Sequence, residues 1–235
     1  MKLWRYMEFW KFAAMLKDGS LHFSRVDRFQ DKFEGSYPIN NLPKYPKLND
    51  PKLTYEAYKK YVAVSCWHEN TGESEAMWQL YLARSVGVAI VSSKERLEEY
   101  VQSKGLNISI IEIKYIDFLH DSIDDFSWFK AFEYKRKCFE HEREIRATIY
   151  SNPLPEKFIN GFPEYGLPDG TNCIPEAGED VEIDLSKLIE KVVLCPKSGS
   201  WFKSLVGDLL KKYSWNFQVE ESELSRDPVF PNLFA

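Results

Sequence analysis

Three short stretches of this chain carry residue types that could do chemistry. In EREIRATIY, residues 142–150, Arg143, Ile145, Ala147 and Ile149 fall on one face of an alternating strand, and Glu142, Glu144 and Arg146 fall on the other. Charges on a strand face need partners or water, because burying an unpaired charge is costly. That face is therefore a solvated one, a Glu144–Arg146 ion pair across strands, or the wall of a cleft. In YVAVSCW, residues 61–67, Val62, Val64 and Cys66 share one face, and Ala63, Ser65 and Trp67 share the other. Ser65 and Trp67 thus point away from the aliphatic side. In DKFEG, residues 31–35, the carboxylates of Asp31 and Glu34 stand three apart before a glycine. Such a pair can hold a metal, cap a helix or order a loop through backbone N–H groups; loop ordering is the expectation, with a basic residue such as Arg25 as a further partner.

Other constellations are less informative. Trp78 and Tyr81 share a helix face, as core or as a platform for a flat ligand. Cys66 with His68 and Cys138 with His141 have unusual spacing for a Cys2His2 zinc site, and no local motif supports a Cys–His nucleophile. The chain has no P-loop, no GxGxxG and no GxSxG. The cysteines Cys66, Cys138, Cys173 and Cys195 are widely spaced without a CxxC, which predicts free thiols, no metal and a reducing, cytoplasmic setting.

Composition narrows the function classes. Hydrophobic residues at 44% and charged residues at 29% describe a globular chain rather than a disordered one. A net charge of −5 argues against tight, unspecific binding to a phosphate backbone. Lys130, Lys135, Arg136 and Lys137 read as a solvated helix face. No apolar run nears the roughly 20 residues that span a bilayer, and the charged N-terminus is not a secretion signal, so no membrane partner is expected. The aromatic share of 15% is high, and fits a ring-filled core, a stacking cleft or both.

The elements that must position these residues follow from periodicity. Lys2–Tyr6 alternates as a strand, Phe9, Phe12, Ala13 and Leu16 form a helical face ended by Gly19, and Leu21–Arg25 is a second strand. The polar stretch 26–52 predicts a long loop or lid. A short helix fits Thr54–Lys60, a strand 61–67, a helix from Ser74 to about Ala83, a strand Val86–Val91 and a helix Lys94–Ser103. A long strand fits Asn107–Tyr115, a helix about Asp125 to His141, and a strand 142–150. Residues 153–179 read as a loop insertion. Strands follow at Val181–Leu185, Val192–Cys195 and Phe217–Val219, with a helix at about Trp201–Tyr213; residues 226–235 form an extended tail. Strands and helices alternate irregularly, which predicts one α+β domain over 1–235 with a mixed central sheet and flanking helices.

Taken together, LWRYM, LHFSRVDRFQDKFEG, VSCWHEN, SEAMWQLY, GVAI, FEHEREIRA and EIDLSKLI resemble a bacterial and phage family of uncharacterised proteins. Its pattern runs LW+Y, FSR-x-D-x-F-x-DPFEG, SCW, MW-x-x-Y and E-x-E-x-R; Lys32 stands where that pattern has Pro, which bears on the stiffness of the loop. More distantly the chain looks like ADP-ribosyltransferases. They carry Arg or His on an early strand, Ser or Tyr on a middle strand, and Glu, often in E-x-E, on a later one; here Arg5, Ser65 and Glu142-Arg143-Glu144 come in that order. The resemblance implies NAD as co-substrate, and Glu144, Ser65 and Arg5 as catalytic residues. Glu144 would meet the oxocarbenium charge of the breaking nicotinamide–ribose bond, with Glu142 and Arg146 supporting it. Arg5 would hold the pyrophosphate, and Tyr6, Arg25, Ser65, Trp67, Trp78 and Tyr81 would complete the nucleotide site. Arg5, Ser65 and Glu144 should then face one cleft from adjacent strands. A ligand-sensing or interaction module without chemistry is the alternative. A metal nuclease using Asp31, Glu34 and Glu144 is the third reading. The acceptor of any transfer, protein or nucleic acid, stays open.

Overall fold

A computed structural model describes residues 1–44, 56–83, 85–104, 108–124, 128–151, 158–159, 162–163 and 173–228. In chain order the elements are β1 (Lys2–Glu8), α1 (Phe9–Asp18), β2 (Ser20–Arg25), β3 (Val62–Asn70), α2 (Glu75–Leu82), β4 (Gly87–Ser93), α3 (Lys94–Lys104), β5 (Ile108–Glu112), β6 (Lys114–Ile116), β7 (Tyr134–Arg136) and β8 (Glu144–Tyr150). They continue with β9 (Phe158–Ile159), β10 (Phe162–Pro163), β11 (Glu179–Glu182), α4 (Leu185–Leu188), β12 (Lys191–Leu194), α5 (Ser200–Lys212) and β13 (Gln218–Glu221). The class is α+β with a mixed sheet, as the irregular alternation predicts. The chain folds as two compact units.

The first unit comprises Met1–Gly19, Asn70–Arg96 and the chain from Ile183 onward. Here β1 and β12 each run antiparallel to β4, while β13 runs parallel to β12. Val88, Ala89, Ile90 and Val91 are all buried, so β4 is covered on both faces; that explains a continuous apolar run in place of alternation. Helix α1 buries Phe12, Met15 and Leu16, each contributing about 1.5–3 kcal/mol. It ends where Gly19 turns left-handed at φ 58° and donates its N–H to Met15 O. Ser74 caps α2 by accepting from the Met77 N–H. Helix α5 buries Phe202, Val206 and Leu210.

The second unit comprises Ser20–Glu69 and Leu97–Glu182. Its strands pair antiparallel in the order β11, β2, β3, β8, β5. The long strand predicted over 107–115 breaks at Ile113: β5 stays with β8, and β6 leaves to pair in parallel with β7. The helix predicted over 125–141 is not formed. Two 3-10 turns, Trp128–Glu133 and Lys137–Glu142, flank β7 instead. The solvated face expected for Lys130, Lys135, Arg136 and Lys137 goes with it, because Lys135 is buried against Glu142 and Glu144 and Arg136 pairs with Asp31. Helical propensity loses to a tertiary ion pair that only an extended Lys135 can reach. Under one face of this sheet Val26, Tyr37, Tyr58, Val62, Val64, Ile123, Ala131 and Phe132 form a core cluster. Parts of the predicted loops, within 45–55 and 152–172, and the tail from 229 lie outside the described residues.

Gly35 sits where only glycine fits. Its φ is +70°, and a Cβ there would stand 2.3 Å from Phe132 Cε1. Gly35→Ala should therefore lower stability by roughly 2 to 5 kcal/mol, the left-handed cost plus displacement of a core ring. Urea unfolding measures it, and an unchanged midpoint would show that this turn does not need its glycine.

Candidate functional site

The alternation that sets Glu144 and Arg146 on one face of β8 also sets the register with β3. Cys66 opposes Arg146, His68 opposes Glu144, and Ser65 opposes Ala147. Cross-strand partners share a face, so Glu144, Arg146, Cys66 and His68 stand on one side and Ser65, Trp67, Ile145 and Ala147 on the other. The expectation that Ser65 and Glu144 line one cleft is corrected by this register: odd and even positions of paired strands cannot meet. Ser65 is fully buried, and its hydroxyl finds no partner among the described residues.

On the Glu144 side, Arg146 is fully buried and spends all five of its N–H donors. Its Nε donates to Glu144 Oε1 (2.7 Å) and its NH2 to Glu144 Oε2 (3.1 Å). Its NH1 donates to Glu34 Oε1 (2.5 Å) and to the Phe132 carbonyl (3.1 Å), and NH2 also to Glu34 Oε2 (3.1 Å). Lys135 Nζ donates to Glu144 Oε2 (3.0 Å) and to Glu142 Oε2. The Tyr115 hydroxyl accepts from the Glu144 N–H (2.8 Å). His68 Nδ1 donates to the Glu142 carbonyl (2.6 Å), since a carbonyl can only accept.

Burial by itself raises the Glu144 carboxyl, but the charges of Arg146 and Lys135 outweigh it and hold the group down at about 2. Glu142 shifts the other way: burial raises it, and Lys135 offsets this only in part. Burial, then the charge of Glu144, pushes the Cys66 thiol up, so it is no thiolate nucleophile. Burial lowers His68.

The loop carboxylates are tied from the same unit. Asp31 Oδ1 accepts from Arg136 NH2 (2.8 Å) and from the Phe33 N–H (3.0 Å), and Glu34 accepts from Arg146. The basic partners are thus Arg136 and Arg146 rather than Arg25. The Arg136 guanidinium lies over Phe33 (4.6 Å) and Phe139 (5.4 Å). Arg25 is bound by its own chain: Nε and NH2 to Asp27 (2.8 and 2.9 Å) and NH1 to the Ile174 carbonyl (2.8 Å). Between Glu34 and Glu144, where the nuclease reading needs a cation, stands the guanidinium of Arg146. Among the described residues no group of three His, Cys, Asp or Glu could hold a metal ion. The four cysteines are free thiols.

Of the remaining sequence candidates, Arg5, Tyr6, Trp78 and Tyr81 belong to the first unit. Arg5 is half-buried on β1. Tyr6 is buried, its hydroxyl accepts from the Ser74 N–H (3.0 Å), and its ring meets Trp78 edge-on at 4.8 Å and Tyr81 in a stack at 6.5 Å. Trp78 is buried and donates to Glu73 Oε2 (2.9 Å). Tyr6 and Trp78 are core rings; Tyr81, 41% exposed, is the one of the three with a surface to offer. Trp67 is buried in the second unit.

Lys135, Arg136 and Tyr115 are participants that sequence reasoning did not pick out. The available signal was Tyr134-Lys135-Arg136, whose alternation fits a strand as well as a helix.

No family model matches the chain, and no curated protein matches it in sequence. Among solved structures it is similar to Thermus sp. 2.9 DarT in complex with carba-NAD+, at 9% identity over 95% of each chain and a TM-score of 0.42. It is similar to the same protein in complex with ADP-ribosylated ssDNA at 10% identity, over 95% of this chain and 94% of that one, with a TM-score of 0.41. For the complex with NAD+ the figures are 11%, 94%, 95% and 0.36. Likeness at this level carries neither fold nor function to this chain. Among the described residues no helix is long and apolar enough to cross a membrane.

The Glu144 carboxyl, lowered from 4.5 to about 2, makes a pH prediction. A depressed folded-state value gives stability that is complete above the unfolded value and lost as pH falls through the folded one. Stability should decline between about pH 4.5 and 2, by roughly 3 kcal/mol for this group. Urea midpoints across that range, compared with those of Glu144→Gln, test it. Parallel curves for the two proteins would mean that Glu144 is not the group lost.

Proposed function

We propose that the chain is an ADP-ribosyltransferase-like enzyme that takes NAD as co-substrate, with Glu144 as the carboxylate that meets the positive charge of nicotinamide–ribose cleavage. The observation that carries this reading is the placement of the Glu144 carboxylate, fixed by hydrogen bonds from Arg146 and Lys135. A preorganised charge of this kind is what an oxocarbenium-like transition state calls for. The order of Arg5 on β1 and Glu144 on β8 supports it, as does the Glu142-x-Glu144-x-Arg146 spacing. Arg5 and Tyr81, nucleotide contacts that the resemblance implies, lie in the first unit and Glu144 in the second, so the reading rests on Glu144. Ser65 has no part in this reading. In the cleavage the C–N bond breaks, nicotinamide leaves with the bonding pair, and the ribosyl carbon bonds an acceptor nucleophile or water, which gives up a proton.

A second reading, a ligand-sensing or interaction module without chemistry, is favoured by one observation. Glu144 is 4% exposed and both its oxygens are already engaged. There the network is a structural ion cluster and nothing more.

Nicotinamide release from NAD by the purified chain separates the two. The expected result is slow release that falls about 100- to 1000-fold per folded molecule in Glu144→Gln. Because breaking a buried ion pair costs about 3–5 kcal/mol, that variant will be less stable and its folded fraction must be measured. Absence of release from the wild type, with any acceptor offered, would leave the non-catalytic module.

A further inference from the structure

Segment 26–36 reaches the Glu144 face through side chains. Its described backbone hydrogen bonds are local: Phe29 N–H to Val26 O, Glu34 N–H to Asp31 O, and Ser36 N–H to Phe33 O. Between Val26 in the core cluster and Gly35 against Phe132, three ion pairs tie it to the rest of the unit: Arg28 to Glu176, Asp31 to Arg136 and Glu34 to Arg146. Phe33 lies under the Arg136 guanidinium and edge-on to Phe118 (5.5 Å). Glu34 takes the outer edge of the guanidinium whose inner edge holds Glu144, so with Glu34 in place no ligand anion can share Arg146.

We infer that segment 26–36 is an autoinhibitory clasp: Glu34 on Arg146 and Asp31 on Arg136 hold it shut over Glu144, and Glu144 becomes reachable only when both carboxylates let go. The inference rests on reading Glu144 as the reactive carboxylate. Charge makes release feasible. Among the described residues the ion pairs of Glu34, Glu142 and Glu144 are with Lys135 and Arg146, one negative charge in excess, and withdrawing Glu34 balances the remaining four. An anionic ligand, such as the pyrophosphate of a dinucleotide, could then take the vacated edge of Arg146 by the same paired hydrogen bonds.

Cys66 reports the state of the clasp, because it lies on the same face beside Arg146. Cys195, buried in the other unit, reports general loosening. The test is peptide-resolved alkylation of the full chain without nucleotide, comparing wild type with Glu34→Gln and Asp31→Asn. Each substitution should raise the Cys66 rate roughly tenfold or more, the effect of removing a charge-assisted pair from a local opening equilibrium, with Cys195 unchanged. An unchanged Cys66 rate in both variants overturns the clasp, as does a rise matched at Cys195. If Glu34→Gln unfolds the chain, Asp31→Asn decides, since it leaves the Arg146 charge paired. No NAD is used, so the two ideas fail separately. Faster labelling without nicotinamide release from Glu34→Gln or Asp31→Asn leaves a clasp over a non-catalytic site, and release with unchanged labelling leaves an enzyme without a clasp.

Discussion

A guanidinium sealed from water must find a partner for every N–H it carries, and in this chain the demand of Arg146 organises much of the second unit. Its five donors are met by two carboxylates and one carbonyl, drawn from β8, from the loop after β2 and from the 3-10 turn before β7. Each of these must arrive in a set orientation. Gly35 bends back against Phe132 so that Glu34 and the Phe132 carbonyl reach the same nitrogen. Residues 134–136 run extended so that Lys135 can neutralise the far side of Glu144. Buried ion pairs of this kind are a poor source of net stability, because desolvation cancels much of the attraction. Their larger effect is on uniqueness, since any alternative register leaves a charge unpaired in the interior.

The same economy explains the titration pattern. Three carboxylates against two cations leave one excess negative charge, and it does not spread evenly. Glu144, held by both cations, is kept well below the usual carboxylate value; Glu142 is raised by burial, which its pair with Lys135 offsets only in part. A carboxylate fixed in this way suits electrostatic stabilisation and not proton abstraction, because a group that protonates only near pH 2 is a weak base. If the site is catalytic, its role is to face a cation. The contacts that fix its charge are also the ones that cover it.

Much of the frame was legible from residue order. Gly19 after an amphipathic run, Ser74 before α2, and the alternation of residues 62–67 and 144–150 are local signals that local geometry obeyed, whereas Glu142 and Arg143, expected in the same strand, lie in a 3-10 turn and its left-handed cap. The sequence by itself also determined that Glu144 and Arg146 share a face, because a strand has a period of two, and that Asp31 and Glu34 need partners. Only the tertiary structure decided who those partners are. Register between β3 and β8 is a pairing of strands some eighty residues apart; it put Ser65 on the face away from Glu144, where no pattern within either strand could have done so. The span 125–141 carried enough helical periodicity to suggest a helix, yet an extended Lys135 joined a buried ion cluster instead, and a local propensity of a few tenths of a kcal/mol per residue cannot hold against a charge that must be paired.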